Sequence, residues 1–257
     1  LDGAAQKAHR LNTPFTIRIP VSAFMSPQAL TNTVTFKPGV ILGYSTEKGY
    51  YAVPHIYENG EFIVTVSEGH KLVHRTDQIT FDDIQGSIFQ EEIEYLASRF
   101  VIKGYDNAAF RPDEKITRGQ FAALISRALD LKPSKPTTFS DAFLSSFRDD
   151  IQAVYESGIM RGYADTKFGV NDPLTREQAA ATMARVLEYM DYEAKRNLVY
   201  FKDKNDINPE FIKQIELLNT LDIMSGYGDG LFKPKDYLTR GQLAKILQRT
   251  LKLTNVM

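Results

Sequence analysis

Cysteine and tryptophan are both absent from the 257 residues. Without cysteine, disulfides, thiolate metal sites and cysteine nucleophiles are all excluded. The absence is compatible with the cytosol and with exported bacterial proteins that avoid unpaired thiols. The only four histidines lie before residue 75, and no nucleophile-elbow sequence accompanies them, so Ser-His-Asp catalysis has no support. An excess of charge is missing too. Thirty-one basic against thirty-two acidic residues leave a formal charge of −1, so no global basic field recruits phosphate, which argues against nucleic acid as a partner. No apolar run approaches the roughly 20 residues that cross a bilayer, and membrane insertion is not expected. Leu1 to Arg10 carry no apolar signal-peptide core, so an export signal is expected outside this stretch, and the start without Met suits a piece of a longer protein.

The remaining composition, 43% hydrophobic and 25% charged, is ordinary for a globular chain with a real core. Two regimes are visible, and they predict an α+β protein. Residues 1–80 are β-rich. Phe15, Ile17, Ile19 and Val21 alternate with polar neighbours, as do Val34 and Phe36. Tyr50 to Ile56 and Phe62 to Val66 flank Asn59-Gly60, a strong hairpin signal. Val40 to Tyr44 and Lys71 to His74 add strands. Five or six short strands predict a small sandwich or open sheet, or the end of a larger β domain. Residues 81–257 read as helical.

A single pattern recurs three times in this helical region. It reads Gly104-Tyr105, Phe110, Thr117-Arg118 and Gln120; then Gly162-Tyr163, Phe168, Thr175-Arg176 and Gln178; then Gly226-Tyr227, Phe232, Thr239-Arg240 and Gln242. The spacing from the glycine is identical in each copy. An F-x-D start precedes each one, at Phe81/Asp83, Phe139/Asp141 and Phe201/Asp203. The repeats span 81–136, 137–198 and 199–253, each predicted to be a helix pair, with Lys132 to Pro136 as a linker. A single pair of this size cannot bury its apolar face alone, so the copies are expected to share one core. A pseudo-threefold bundle with the first helices meeting centrally is the expected arrangement, a short solenoid the alternative.

Thr117, Thr175 and Thr239 each precede an apolar-periodic helix, with Gln three residues on, which is a capping box. Gly104, Gly162 and Gly226 close the first helix and its exit turn, a place suited to positive φ. Phe110, Phe168 and Phe232 read as core plugs. Arg118, Arg176 and Arg240 fall in the first helical turn, where a cation opposes the helix dipole by roughly 0.3–1 kcal/mol. Two explanations stand: an ion pair with Glu114, Asp172 and Asp236, each four residues upstream, or an anion site shared with the helix amides. Tyr105, Tyr163 and Tyr227 either pack on their own repeat or offer ring faces to a sugar. Metal sites are not expected. His70 and His74 sit in strand or turn sequence, and Asp106, Asp165 and Asp229 do not match a calcium loop. Glu91-Glu92 and Asp149-Asp150 read as first-turn helix residues rather than a glycosidase pair.

Residues 81–253, with the F-x-D starts, the Gly-Tyr turns and the Thr-Arg-x-Gln steps, resemble three tandem S-layer homology modules. The resemblance implies a non-catalytic anchor without cofactor, outside the cell at a bacterial wall. The implied partner is a secondary cell-wall polymer, often pyruvylated on N-acetylmannosamine, held in grooves between modules. The groove residues then fall at Thr117 to Gln120, Thr175 to Gln178 and Thr239 to Gln242, beside the Gly-Tyr turns. The chain departs from the family pattern in ending each motif on Gln rather than Glu, in placing Gly119 and Gly241 where Ala is usual, and in lacking the tryptophan common near the first helix. Gly119 and Gly241 are expected to admit close approach of a ligand. Repeat two has Gly169-Val170 against Arg111-Pro112 and Lys233-Pro234, and a weaker or different groove is expected there. Two rivals accompany this reading: self-association into a surface lattice, with the arginines in interface salt bridges, and the tail of a glycan-processing enzyme.

Overall fold

In a computed structural model of the chain, residues 15–24, 39–47, 49–66 and 71–256 are described. Strands come first and helices follow. The strands are β1 (Phe15–Pro20), β2 (Val40–Ser45), β3 (Gly49–Ala52), β4 (His55–Glu58), β5 (Glu61–Val66) and β6 (Lys71–Arg75). They form two antiparallel three-stranded sheets, ordered β1-β5-β4 and β3-β2-β6. The hairpin expected at Asn59-Gly60 joins β4 to β5, both turn residues having positive φ (52° and 81°) as a tight β-turn requires. The run from Tyr50 to Ile56 is not one strand. It breaks at Val53-Pro54, giving β3 to one sheet and β4 to the other. The strand expected at Val34 and Phe36 lies outside the described residues, as does His70.

Ile41, Val53, Phe62, Val64 and Val66 form a small core between the sheets. His55 crosses it. Its Nδ1–H donates to the Val53 carbonyl (2.7 Å), and its Nε2 accepts from the Ile41 amide (3.2 Å). A carbonyl only accepts and an amide only donates, so the ring must be the neutral Nδ1–H tautomer. Burial, aided by the charges of Arg99 and His74 against the Val53 bond, pushes its pKa down to about 4.

The helices are α1 (Gln90–Ser98), α2 (Arg118–Ala128), α3 (Arg148–Glu156), α4 (Arg176–Tyr189), α5 (Ile212–Thr220) and α6 (Arg240–Leu253). Each second helix packs on the first helix of the next repeat: α2 on α3, α4 on α5, and α6 back on α1. The expectation that first helices meet centrally is therefore corrected. What meets instead are the short straps before the second helices. The Ile116 amide donates to the Leu238 carbonyl, Leu238 to Leu174, and Leu174 to Ile116, a ring of three backbone hydrogen bonds of 2.9–3.1 Å. A strap carries no long side-chain row to splay, so three of them approach where three helices would crowd. One continuous hydrophobic core runs under all three repeats, and Ala52 of β3 joins it from the sheet side.

Candidate functional site

Each repeat is braced by its F-x-D start. Asp83 accepts from the Phe110 and Arg111 amides (2.7 and 2.6 Å), Asp141 from Phe168 and Gly169 (2.9 and 2.7 Å), and Asp203 from Phe232 and Lys233 (2.9 and 2.7 Å). Burial by itself would raise the carboxyl pKa of Asp83 and Asp141, but these amides hold both below their ordinary value. The Phe of the same motif explains the glycine of the Gly-Tyr turn. A Cβ on Gly104, Gly162 or Gly226 would stand 2.3, 2.5 or 2.7 Å from the ring of Phe81, Phe139 or Phe201. None of these three glycines has positive φ, so steric closeness replaces the conformational reason expected from sequence. The left-handed residues after the first helices are Phe100, Gly158 and Asp222.

The three capping boxes form as expected at Thr117/Gln120, Thr175/Gln178 and Thr239/Gln242. Phe110, Phe168 and Phe232 are buried. The arginines resolve in a third way, as clamps between repeats. Arg118 donates to the carbonyls of Phe168 (Nε, 3.1 Å) and Arg161 (Nη2, 2.7 Å). Arg176 donates to Phe232 (2.9 Å) and Ser225 (3.0 Å), and Arg240 to Phe110 (2.9 Å) and Lys103 (3.1 Å). Each guanidinium also lies over the Tyr and Phe rings of the repeat it grips, at 4.4–5.1 Å. Burial pushes all three pKa values down from the ordinary guanidinium value, opposed first by Tyr163, Tyr227 and Tyr105 respectively.

The helix amides are occupied too. Arg118 N donates to Asp172 O, Arg176 N to Asp236 O and Arg240 N to Glu114 O. The next amides donate to Val170, Pro234 and Pro112, and the third meets the capping threonine. The acidic residues thus meet the arginines of another repeat through their backbone carbonyls, and among the described residues no ion pair joins them to any of the three. These helix starts hold protein carbonyls where sequence suggested a free anion site. Nor do Gly119 and Gly241 make room for a ligand. Their Cβ positions lie 2.8 Å from Val170 and 2.5 Å from the Phe89 ring, so neighbouring repeats fill the space. Glu177, the residue at this place in repeat two, instead accepts from the Asn208 amide and pairs with Lys235. Both partners belong to the third repeat.

A cleft of about 220 Å³ opens at the junction that Arg240 clamps. Gly104, Tyr105, Gln120 and Arg240 line it, together with Lys103 and Arg127. Three cations line the cleft and no carboxylate does. Thr117 and Thr239 are not among its walls. Sequence reasoning misses Arg127, although its signal is there: Arg127, Arg185 and Arg249 each follow the motif arginine by nine residues. That spacing is two and a half helical turns, so it escapes a search for three- and four-residue neighbours.

The junctions are unequal. In repeat two, Arg161 and Arg185 hold the places of Lys103 and Arg127. Burial lowers the Arg185 pKa and the positive charge of Arg161 lowers it further, while the carboxylates of Glu188 and Glu210 oppose the shift. In repeat three Ser225 replaces the lysine, and Arg249 pairs with Asp222 (3.2 Å), while in repeat one Arg127 reaches Asp150 of repeat two at 4.0 Å. The Gly169-Val170 departure leaves the backbone path unchanged. Gly169 takes the same positive φ as Arg111 and Lys233, and Val170 accepts the same amide bond as the prolines. Arg111 and Lys233 cover the rings of Tyr105 and Tyr227 at 4.0 and 4.5 Å. Tyr163 has Gly169 beneath it instead and stays 50% exposed.

Among the described residues no cluster of three or more His, Asp or Glu could hold a metal, and no helix is long and apolar enough to cross a membrane. The S-layer homology domain model matches the chain three times, at 80–122, 132–180 and 200–244. An endoglucanase from Bacillus sp. (strain KSM-635) is 31% identical over 181 residues, 69% of this chain and 19% of that protein. The surface-layer 125 kDa protein of Lysinibacillus sphaericus is 28% identical over 67% of this chain and 15% of its own length. The cellulosome-anchoring protein of Acetivibrio thermocellus is 24% identical over 59% of this chain and 35% of its own. The chain thus spans a minor part of each of these relatives.

Proposed function

Because the chain belongs to the S-layer homology domain family, we propose that residues 81–257 are a non-catalytic wall-binding unit, with residues 1–80 a separate β-rich unit before it. The family places it at the cell surface, and its relatives include surface-layer and anchoring proteins. The three repeats stand about a pseudo-threefold axis through the ring of strap hydrogen bonds. The ligand is an acidic secondary cell-wall polysaccharide, pyruvylated or otherwise carboxylated, held in the clefts between repeats.

The observation that carries this reading is the cleft at Lys103, Arg127 and Arg240, which gathers three cations and no carboxylate. Arg240 forms the floor with the N–H donors its two carbonyl bonds leave over. Lys103 and Arg127 meet the acidic substituent, and Gln120 and the glycine-lined wall at Gly104 admit the sugar. The second junction, with Arg118, Arg161, Arg185 and a half-exposed Tyr163, is the other groove. The third, where Ser225 stands in place of the lysine and Asp222 pairs with Arg249, is the weak one. Attachment through two grooves to one polymer raises retention above that of either.

Sedimentation with purified Gram-positive cell walls, before and after extraction of the polymer, tests the proposal. Binding is expected to vanish with the polymer, and to weaken about tenfold in Arg127→Gln and in Arg185→Gln. Equal binding to stripped walls contradicts it. A lattice-assembly role is the second reading, favoured by the exposed apolar side chains Ile88, Leu144 and Leu198. A monomer in sedimentation velocity at high concentration contradicts that one.

A further inference from the structure

Lys103 and Arg127 line two clefts at once. Beyond the groove that holds Arg240 lies a second one of about 450 Å³, walled by Tyr50 and Tyr51 of β3, Phe100 and Lys132. The first cleft is smaller than the roughly 300–1,000 Å³ usual for a small-molecule site, and the second falls within that range. We infer that the β region lengthens the first groove into a subsite for a further sugar of the same acidic polysaccharide, so that this groove reads more of the polymer than the other two. The inference rests on the wall-glycan reading above.

Three observations support it. The β region is docked on the helical core at this spot, with Ala52 inside that core and the Tyr50 ring 5.9 Å from Phe100. Phe100 occupies the left-handed position after α1 (φ 59°), where repeats two and three have Gly158 and Asp222. A bulky aromatic is unfavourable there, and only repeat one, the repeat beside the sheet, has one. The electrostatics agree as well. Of the two acidic residues on the wall of the second cleft, Glu47 belongs to the turn after β2, on the sheet side. Asp130, on the helical side, has its carboxylate almost wholly buried and paired with Lys132 (2.5 Å), so the shared wall of the two clefts presents Lys103 and Arg127. Tyr50, 37% exposed with Arg75 over one side of its ring, and the less exposed Tyr51 flank the two cations, which suits a sugar with an acidic substituent, since a C–H face packs on an aromatic and the acid meets the cations.

The test uses the full chain and the polysaccharide released from the walls that retain it, cut to one repeating unit or to longer fragments. Affinities are read by calorimetry for the unaltered chain, Tyr50→Ser and Phe100→Gly. Phe100→Gly suits the left-handed backbone at that position but removes a contact between sheet and helices, so thermal unfolding is read for both variants, and an unchanged midpoint excludes loss of fold. The expected result is a gain of tenfold or more from one unit to longer fragments in the unaltered chain. Both variants should lose about fivefold to tenfold on the longer fragments, with single-unit affinity held within twofold. Variants that keep the full gain would show that it comes from bridging separate grooves, and would overturn the extended subsite while leaving the anchor intact. No binding of either fragment length to the unaltered chain would overturn the wall-glycan reading, and the subsite with it.

Discussion

Two rings of arginine distinguish the interior of the repeat junctions from their outer walls. Arg118, Arg176 and Arg240 lie inside, donating to carbonyls of the next repeat. Arg127, Arg185 and Arg249 stand nine residues on and are partly exposed, Arg127 on the wall of the first cleft. Both rings occur three times at fixed spacing, yet they do different work. The inner ring is the same in all three junctions because all three must close. The surroundings of the outer ring vary, from a long Asp150 ion pair in repeat one, through an Arg161 neighbour in repeat two, to a closer Asp222 ion pair in repeat three. Repetition therefore marks what the architecture needs, and variation within it marks where the grooves diverge.

Removing an inner arginine is the strongest way to break this comparison. Arg176→Gln leaves the carbonyls of Phe232 and Ser225 without their charged donor and uncovers two rings. A loss of about 3 kcal/mol is expected in urea unfolding. A loss below about 1 kcal/mol would mean that the inner ring is not structural.

Acidification separates the sheets from the helices. The folded-state pKa of His55 is depressed from 6.5 to about 4, so its contribution is full above pH 6.5 and disappears as the pH falls toward 4. The β region is expected to lose up to about 3 kcal/mol across that window. Asp83 and Asp141 have folded pKa values below 3.8, so their contribution persists to lower pH and is lost only as pH falls through those values. Hydrogen exchange at pH 5 should show the strands opening before the helices. His55→Gln, which can keep only some of the bonding, should flatten the dependence.

Gly241→Ala sharpens the contrast at a smaller scale. Alanine favours a helix by about 1 kcal/mol over glycine, but its Cβ would stand 2.5 Å from the Phe89 ring. Overpacking of this kind costs about 1–3 kcal/mol, so a net loss is expected in thermal unfolding. A gain would show that the junction has slack.

The repeat, its caps and the Phe plugs could be read from the chain because each depends on local chemistry. A Thr with Gln three residues on caps a helix wherever the helix goes. What escaped the sequence were the relations between repeats. Gly104 and Gly241 look like permissive backbone until Phe81 and Phe89 are seen against them. Arg118 suggests a ligand or a nearby carboxylate, because nothing in its neighbourhood announces the carbonyl of Phe168, fifty residues away. The F-x-D aspartates were visible as a pattern but not as the staples of a loop 27 to 30 residues on. In the β region, Pro54 lies where one apparent strand becomes two, and the alternation of residues alone did not reveal the break.

The division between the rings is tested most directly by measuring Arg185→Gln and Arg176→Gln side by side, for thermal unfolding and for affinity to the extracted wall polysaccharide. Arg185→Gln is expected to unfold like the unaltered chain and bind about tenfold more weakly, while Arg176→Gln unfolds early. An Arg185→Gln chain that binds as tightly as the unaltered one would contradict the account, because the outer ring would then have no part in the groove.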